Sequence, residues 1–192
     1  MISLLRAADR PRIPWKNGGG EAEDIATGPP GASWESMDWR VSRAWIAASG
    51  PFSVFPGIDR TFMVADGAGV ELTPSGVAVR LGPASQPFPF PGDVATGCVL
   101  LDGPVVAFNV MSARGRWRHR LDRRRIAGET RLAGSATVSV AVLLEGTARM
   151  LRPQPCDLGL QDAISLAPGD AVALDAGTGA TIAWVELWES DR

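Results

Sequence analysis

Residues 14–21, Pro-Trp-Lys-Asn-Gly-Gly-Gly-Glu, combine side chains suited to bind a small molecule. Lys16 is the only lysine of the chain, and the other 18 of its 19 basic residues are arginines. A lysine carries a compact charge whose pKa shifts readily on burial, and glycines let the backbone approach a ligand closely. With Trp15 and Asn17 beside it, Lys16 predicts a small-molecule site. The alternative is a glycine-rich turn with a solvated lysine.

Further candidate residues carry groups that could meet a carboxylate or an amide. Arg60 can bind a carboxylate through two parallel hydrogen bonds, whereas Ser42 and Asn109 suit an amide or formyl group. The predicted ligand-binding residues are Trp15, Lys16, Asn17, Arg40, Ser42, Phe52, Asp59, Arg60 and Asn109. Alternatives stay open: Asp59 and Arg60 could form only an ion pair in a turn, Phe52 and Phe55 could be core residues, and Asn109 could face solvent.

Several kinds of site are excluded or disfavoured. His119 is the only histidine, which excludes metal sites that need two or three imidazoles. The sequence contains no nucleophile elbow, no phosphate-binding loop and no dinucleotide fingerprint following a strand. We therefore predict no metal and no cofactor, and we assign no catalytic residue.

Composition limits the partners and the location of the chain. The formal net charge is −2, so no global field favours nucleic acid or an acidic membrane. No apolar stretch approaches the roughly 20 residues of a membrane helix, and we see no signal peptide. Cys98 and Cys156 are expected to be free thiols. These features predict a cytoplasmic protein.

The residues around Arg114–Arg125 are rich in arginine. Arginine occupies every second position of residues 114–120, so a strand there would carry one basic face. Such a run is typical of a solvated face or a linker. Nucleic-acid binding is a less favoured alternative, and pairing with acidic groups across a homodimer interface is another.

Short β-type runs indicate an all-β fold. The 22 glycines and 15 prolines leave no room for long helices, and the best helix candidate is a turn or two within residues 121–130. Strands are predicted at residues 39–46, 61–65, 77–81, 105–110, 137–144, 171–174 and 181–187. Alternation within residues 39–46 places Arg40 and Ser42 on one face and Arg43 and Trp45 on the other.

Three sequence markers recur in the same order in the two halves of the chain. The markers are an acidic residue followed by Gly67 or Gly146, a Pro-Gly-Asp turn at residue 91 or 168, and a strand at residue 108 or 184, so the offsets are 79, 77 and 76. We predict two copies of one β-barrel or jelly-roll sandwich, at residues 1–113 and 126–192. Residues 114–125 connect them, and the two barrels are expected to pack as one compact unit.

A strand followed by an acidic-glycine pair and then Pro-Gly-Asp resembles the cupin superfamily. The customary cupin metal signature needs histidines after these turns, and neither copy has them. The motifs Pro14–Gly20, Trp39–Ser42, Gly50–Thr61 and Phe108–Met111, in this order, resemble the HutD/Ves family. Departures from the family pattern occur at Ala22-Glu23-Asp24, commonly Thr-Arg-Glu, and at Ala107, commonly aspartate.

The resemblance implies a metal-free double cupin that binds a small anionic metabolite. Formylglutamate or a related product of histidine degradation is the implied ligand, and restraint of catabolic gene expression is the implied role. No enzymatic activity is implied. The alternative from the residues is a metal-independent isomerase or hydrolase acting on a small carboxylic acid, with Lys16 as the base and Asp24 or Asp59 as its partner.

Overall fold

The computed structural model describes residues 1–15, 18–33 and 35–190, which are almost entirely β-structure. One 3-10 turn spans Ala7–Asp9. The strands of the first part are β1 (Ser3–Leu5), β2 (Ile13–Pro14), β3 (Gly20–Gly28), β4 (Trp39–Ile46), β5 (Gly50–Pro51), β6 (Ile58–Asp66), β7 (Val70–Pro74), β8 (Val79–Leu81), β9 (Phe88–Pro91), β10 (Thr96–Leu100) and β11 (Val105–Ala113). Those of the second part are β12 (Trp117–Ile126), β13 (Glu129–Ala133), β14 (Val138–Gly146), β15 (Ala148–Arg152), β16 (Cys156–Leu158), β17 (Ala163–Leu166), β18 (Ala171–Asp175) and β19 (Ala180–Glu189).

The strands form two units, each built from two sheets. The first unit has a six-stranded sheet in the order β2-β3-β4-β11-β6-β9 and a four-stranded sheet in the order β5-β10-β7-β8. Its core combines Phe62, Val64 and Ala107 from the larger sheet with Leu72 and Cys98 from the smaller one. Because apolar side chains of both sheets meet in one cluster, the unit is a β-sandwich.

The second unit repeats this topology. Its five-stranded sheet has the order β1-β17-β14-β19-β12, and its four-stranded sheet has the order β13-β18-β15-β16. The series β12-β19-β14-β17 corresponds to β4-β11-β6-β9, and β13-β18-β15-β16 corresponds to β5-β10-β7-β8. Leu166, Ile182 and Trp184 of one sheet pack with Met150 and Leu174 of the other. The predicted all-β fold, with two copies of one sandwich and little helix, is confirmed.

The first ten residues belong to the second unit. Contacts divide the chain into Met1–Arg10 with His119–Glu189, and Pro11–Arg118 with the last described residue, Ser190. β1 pairs antiparallel with β17. Beyond it, the carboxylate of Asp162 accepts hydrogen bonds from the Ala7 N–H at 2.8 Å and from the Arg6 guanidinium at 2.7 Å. The sequence assigned residues 1–10 to the first domain, residues 1–113, whereas their contacts place them in the second unit.

The carboxylate of Asp162 anchors the N-terminal segment through its hydrogen bonds to Arg6 and Ala7. Burial alone would raise the pKa of Asp162, but the hydrogen bonds from Ala7, Arg6 and Gly159 outweigh it and hold the pKa below its usual value. The ionised form is therefore the one that the folded unit favours.

The helix candidate at residues 121–130 is wrong. β12 continues to Ile126 and β13 begins at Glu129. A helix would crowd the arginines of this segment on neighbouring turns. In the strand, Arg120 and Arg124 lie on either side of Asp122 and both bond to its carboxylate at 3.0 Å. The seven predicted strands all coincide with observed ones, and no helix of the described residues is long and apolar enough to cross a membrane.

Candidate functional site

One end of the inner face of the six-stranded sheet carries polar side chains. Residues directly opposite each other on neighbouring strands have their side chains on the same face. One such row consists of Arg40, Met111, Arg60 and Phe90, and the next consists of Asp24, Ser42, Asn109 and Phe62. The following row, Ala22, Ala44, Ala107 and Val64, is apolar. Polar groups thus gather where the sheet approaches the Pro91–Asp93 turn.

Arg60 is the central residue of this polar end. Its side chain is buried, with 8% of the residue exposed. The guanidinium carbon lies 5.0 Å from the ring centre of Phe90, 5.1 Å from that of Phe52 and 5.4 Å from that of Phe55. Nη2 donates one long hydrogen bond, 3.5 Å, to Asn109 Oδ1, and Nε is buried without a hydrogen-bond partner. Among the described residues, no carboxylate pairs with Arg60.

The surroundings of Arg60 disfavour its charge. Burial lowers the pKa of Arg60 to about 10, and the positive charge of Arg40 lowers it further. The guanidinium is still protonated at neutral pH. A buried cation that lacks a counter-ion is costly unless an anion is supplied. An anion beside the guanidinium would offset this cost.

Arg40 and Asp24 form the second charged group of the site. Arg40 Nε donates a hydrogen bond to Asp24 Oδ1, and Asp24 lies directly opposite Ser42, which is buried. Ser42 in turn lies opposite Asn109. The sequence identified Asp24 as a departure from a family pattern and as a possible partner of Lys16, and the structure shows that its carboxylate bonds to Arg40.

The structure brings five of the nine predicted residues together. Arg40, Ser42, Phe52 and Asn109 are grouped around the guanidinium of Arg60 in the first unit. Phe55, which the sequence left open as a core residue, and Phe90, which it did not single out, complete the aromatic wall. Phe90 lies directly before the Pro91-Gly92-Asp93 turn, and this position could have identified it from the sequence as a neighbour of the site.

The side chain of Asp59 is not part of the group around Arg60. As the neighbour of Arg60 on a strand, it faces the opposite side of the sheet. There it accepts a hydrogen bond from Arg114 Nε at 2.8 Å, and Arg114 also reaches Asp93 at 2.8 Å. The alternative of an ion pair between Asp59 and Arg60 is therefore wrong. The Asp59 carboxylate instead bonds to Arg114, which also bonds to Asp93 in the turn that carries Gly92.

The Pro14–Glu21 motif flanks the other end of the same sheet. Lys16 and Asn17 lie outside the described residues. The backbone N–H of Trp15 donates a hydrogen bond to the Gly20 carbonyl at 2.9 Å. A Cβ atom added at Gly20 would lie 3.2 Å from the Trp15 ring. Gly20 pairs with Ile46. The six steps along the strand from Ile46 to Arg40 span roughly 20 Å at about 3.3 Å per step. Trp15 packs against the apolar cluster that includes Phe90, but its backbone lies at the end of the sheet away from Arg60.

The residues present do not fit a cupin metal. The described residues contain no group of three histidine, cysteine or carboxylate side chains able to hold a metal ion. Where a cupin would place its ligands after the glycine, the core-facing side chains are those of Val70 and Leu72 in the first unit and of Ala148 and Met150 in the second. Val70, Leu72 and Ala148 carry no donor atom, and the single thioether of Met150 does not replace the histidine and carboxylate ligands of a cupin metal.

The arginines after β11 are largely neutralised by neighbouring carboxylates. Arg114 contacts Asp59 and Asp93, and Arg116 contacts Asp38 at 2.6 Å. Their charge is used within the first unit rather than presented as a free basic face.

Two sandwiches of one topology define the class of protein as an all-β protein with a duplicated, cupin-like fold. A pirin from Escherichia coli, solved in complex with nickel(II), shares the fold with a TM-score of 0.70 at 11% identity, over 96% of this chain and 98% of that one. The HutD family model matches residues 7–184. The chain belongs to the HutD family.

Relatives and solved structures agree with this assignment. An uncharacterised 21.2 kDa protein in the hutC 3′ region of Pseudomonas putida is 40% identical over 71% of this chain and 70% of its own length. Protein Ves of Cronobacter sakazakii is 34% identical over 69% and 70%. HutD from Pseudomonas fluorescens SBW25, solved in a formate condition, has a TM-score of 0.82 at 31% identity and complete coverage of both chains. A conserved protein of unknown function from Pseudomonas aeruginosa PAO1 has a TM-score of 0.88 at 34% identity, over 98% and 99%.

Proposed function

We propose that this HutD-family protein binds a small carboxylate on Arg60 and serves as a cytoplasmic sensor or regulator of histidine utilisation. The observation that carries the proposal is the buried guanidinium of Arg60, which no carboxylate of the described residues neutralises. A carboxylate ligand would supply the missing counter-ion and satisfy the free Nε donor. The family and the hutC-region relative support the link to histidine degradation.

The neighbouring polar groups indicate the rest of the ligand. Asn109 accepts from Arg60 through Oδ1, which leaves its amide N–H groups as donors. Ser42 stands opposite it as a donor or an acceptor. A formyl or amide oxygen next to the carboxylate would match these groups, so N-formylglutamate is the first compound to test. No metal takes part in this mode of binding.

Calorimetric titration and thermal shift test the proposal. N-formylglutamate should bind and raise the melting temperature, because a ligand that binds only the folded state stabilises it. Arg60→Met should weaken binding by about 30-fold or more, since losing one partner of a buried charge pair costs about 2 kcal/mol or more. Asp102→Asn, an exposed carboxylate of the same unit, is the control and should bind normally. If histidine-pathway acids fail to stabilise the protein while an unrelated class of ligand succeeds, the proposal is wrong.

The same titration separates binding from turnover. A binding protein returns the acid unchanged after prolonged incubation, as observed by NMR of the mixture. Conversion of the acid, lost in Lys16→Ala, would favour the enzyme alternative instead.

A further inference from the structure

The strand β12 lies at one end of its sheet and has a neighbouring strand on one edge only. It is the outermost strand of the order β1-β17-β14-β19-β12. Its counterpart in the first unit, β4, has β11 on one edge and β3 on the other. Among the described residues, the second unit therefore has no strand at the position that β3 occupies in the first. Such an edge presents backbone N–H and C=O groups to which another strand can bond.

The strand β3 shows which chemistry fits beside an arginine-bearing strand at this position. Glu23 lies directly opposite Arg43, and their charged groups are 3.7 Å apart. Asp24, the next residue, accepts a hydrogen bond from Arg40 on the other face of the sheet. Adjacent carboxylates on β3 thus pair with arginines on both faces of β4.

The strand β12 also carries arginines on both of its faces. Arg120 and Arg124 share one face, where both bond to Asp122, and alternation places Arg125 on the opposite face. The side chain of Arg120 is 62% exposed. Arg125 is exposed and has no ion-pair partner among the described residues. Arg124 also lies 3.8 Å from Glu186, so these three guanidinium groups meet two carboxylates and positive charge is in excess.

We propose that β12 is a docking edge for an extended acidic segment of a partner protein, which adds to the sheet as a strand at the position of β3. The segment pairs its backbone with β12, and its carboxylates contact Arg120 on one face and Arg125 on the other. β12 has ten residues and β3 has nine, so a segment of about nine residues matches the edge. Because arginines on an edge oppose pairing with uncharged or basic strands, the occupant is acidic. This surface belongs to the second unit, and the inference does not depend on carboxylate binding by Arg60.

A peptide with the sequence of β3, Gly20–Gly28, is the probe for this edge. Fluorescence anisotropy with the 192-residue chain should show that the peptide binds. A control peptide with Glu21→Gln, Glu23→Gln and Asp24→Asn should bind about tenfold more weakly, the size of three exposed ion pairs. N-methylation at every second residue blocks one edge of a strand and keeps the charges. Of the two possible phases of N-methylation, one should abolish binding and the other should preserve it.

Variants of β12 locate the bound peptide. The double variant Arg120→Gln with Arg125→Gln should weaken binding about fivefold, the size of two exposed ion pairs. Arg149→Gln, which changes an exposed arginine on the interior strand β15, is the control and should bind normally. Absence of binding in the wild type, equal binding by the double variant, or indifference to both phases of N-methylation would overturn the inference. Tighter binding of double-stranded DNA at the same arginines, or a dimer of this chain that the double variant dissociates, would overturn it in favour of those occupants.

Discussion

Replacement of Arg60 by methionine should leave the folded protein about as stable as before, while it removes carboxylate binding. A pKa of about 10, against an ordinary value of about 12.5, means that folding opposes the guanidinium charge by about 3 kcal/mol at 1.36 kcal/mol per unit. Contacts with the three aromatic rings and Asn109 stabilise the charged side chain by about 0.5–1 kcal/mol each, or roughly 2–4 kcal/mol together. The free energy of unfolding of Arg60→Met should therefore lie within about 1 kcal/mol of the wild-type value.

Urea unfolding at pH 7 measures this balance. The sign follows from the lowered pKa: the folded state disfavours the proton, so the penalty is complete at neutral pH and is relieved as the pH rises above about 10. The wild type should accordingly gain stability relative to Arg60→Met above pH 10.

Arg43→Met is the matched control on the same sheet. Arg43 is only partly buried, with 11% of its side chain exposed, and it lies 3.7 Å from the buried carboxylate of Glu23. Its removal should cost about 3–5 kcal/mol, because Glu23 would remain buried without that cation. If Arg60→Met destabilises the protein as strongly as Arg43→Met, Arg60 supports the fold rather than a ligand, and the reasoning fails.

Three further predictions concern single positions. Gly92→Ala should cost about 1–3 kcal/mol in urea unfolding, because the new methyl would lie 2.7 Å from the Ile58 carbonyl oxygen; an unchanged midpoint would contradict this contact. Burial raises the pKa of Cys98 to about 11, so iodoacetamide at pH 8 should label Cys156 alone in the native protein and both thiols in urea. Asp162→Asn should cost about 1–3 kcal/mol at pH 7. Its lowered pKa means that this difference disappears as the pH falls below 4, and a constant difference would refute it.

The fold was accessible from the sequence because its turns repeat. The acidic-glycine pair and Pro-Gly-Asp mark equivalent turns in both units, and the strands between them follow the same order. Strand alternation also assigned Arg40 and Ser42 to the face that carries the site. The pairing of β1 with β17 left no comparable signal, since a three-residue strand has too few residues to show a pattern.

The site was only partly accessible, because residues adjacent in sequence point to opposite faces of a strand. Asp59 and Arg60 are neighbours, yet one contacts Arg114 and the other faces three aromatic rings. Strand register decides such questions, and it depends on pairings between distant residues. The register also explains Ala107, which lies in an apolar row between Ala44 and Val64, where a carboxylate would be buried.

A crystal structure of the protein with N-formylglutamate bound tests the central claim most directly. The account predicts a carboxylate oxygen about 2.7–2.9 Å from the Arg60 guanidinium, with Asn109 and Ser42 beside it. A ligand whose carboxylates bind at residues 14–20, with Arg60 still facing only its rings and Asn109, would contradict the account.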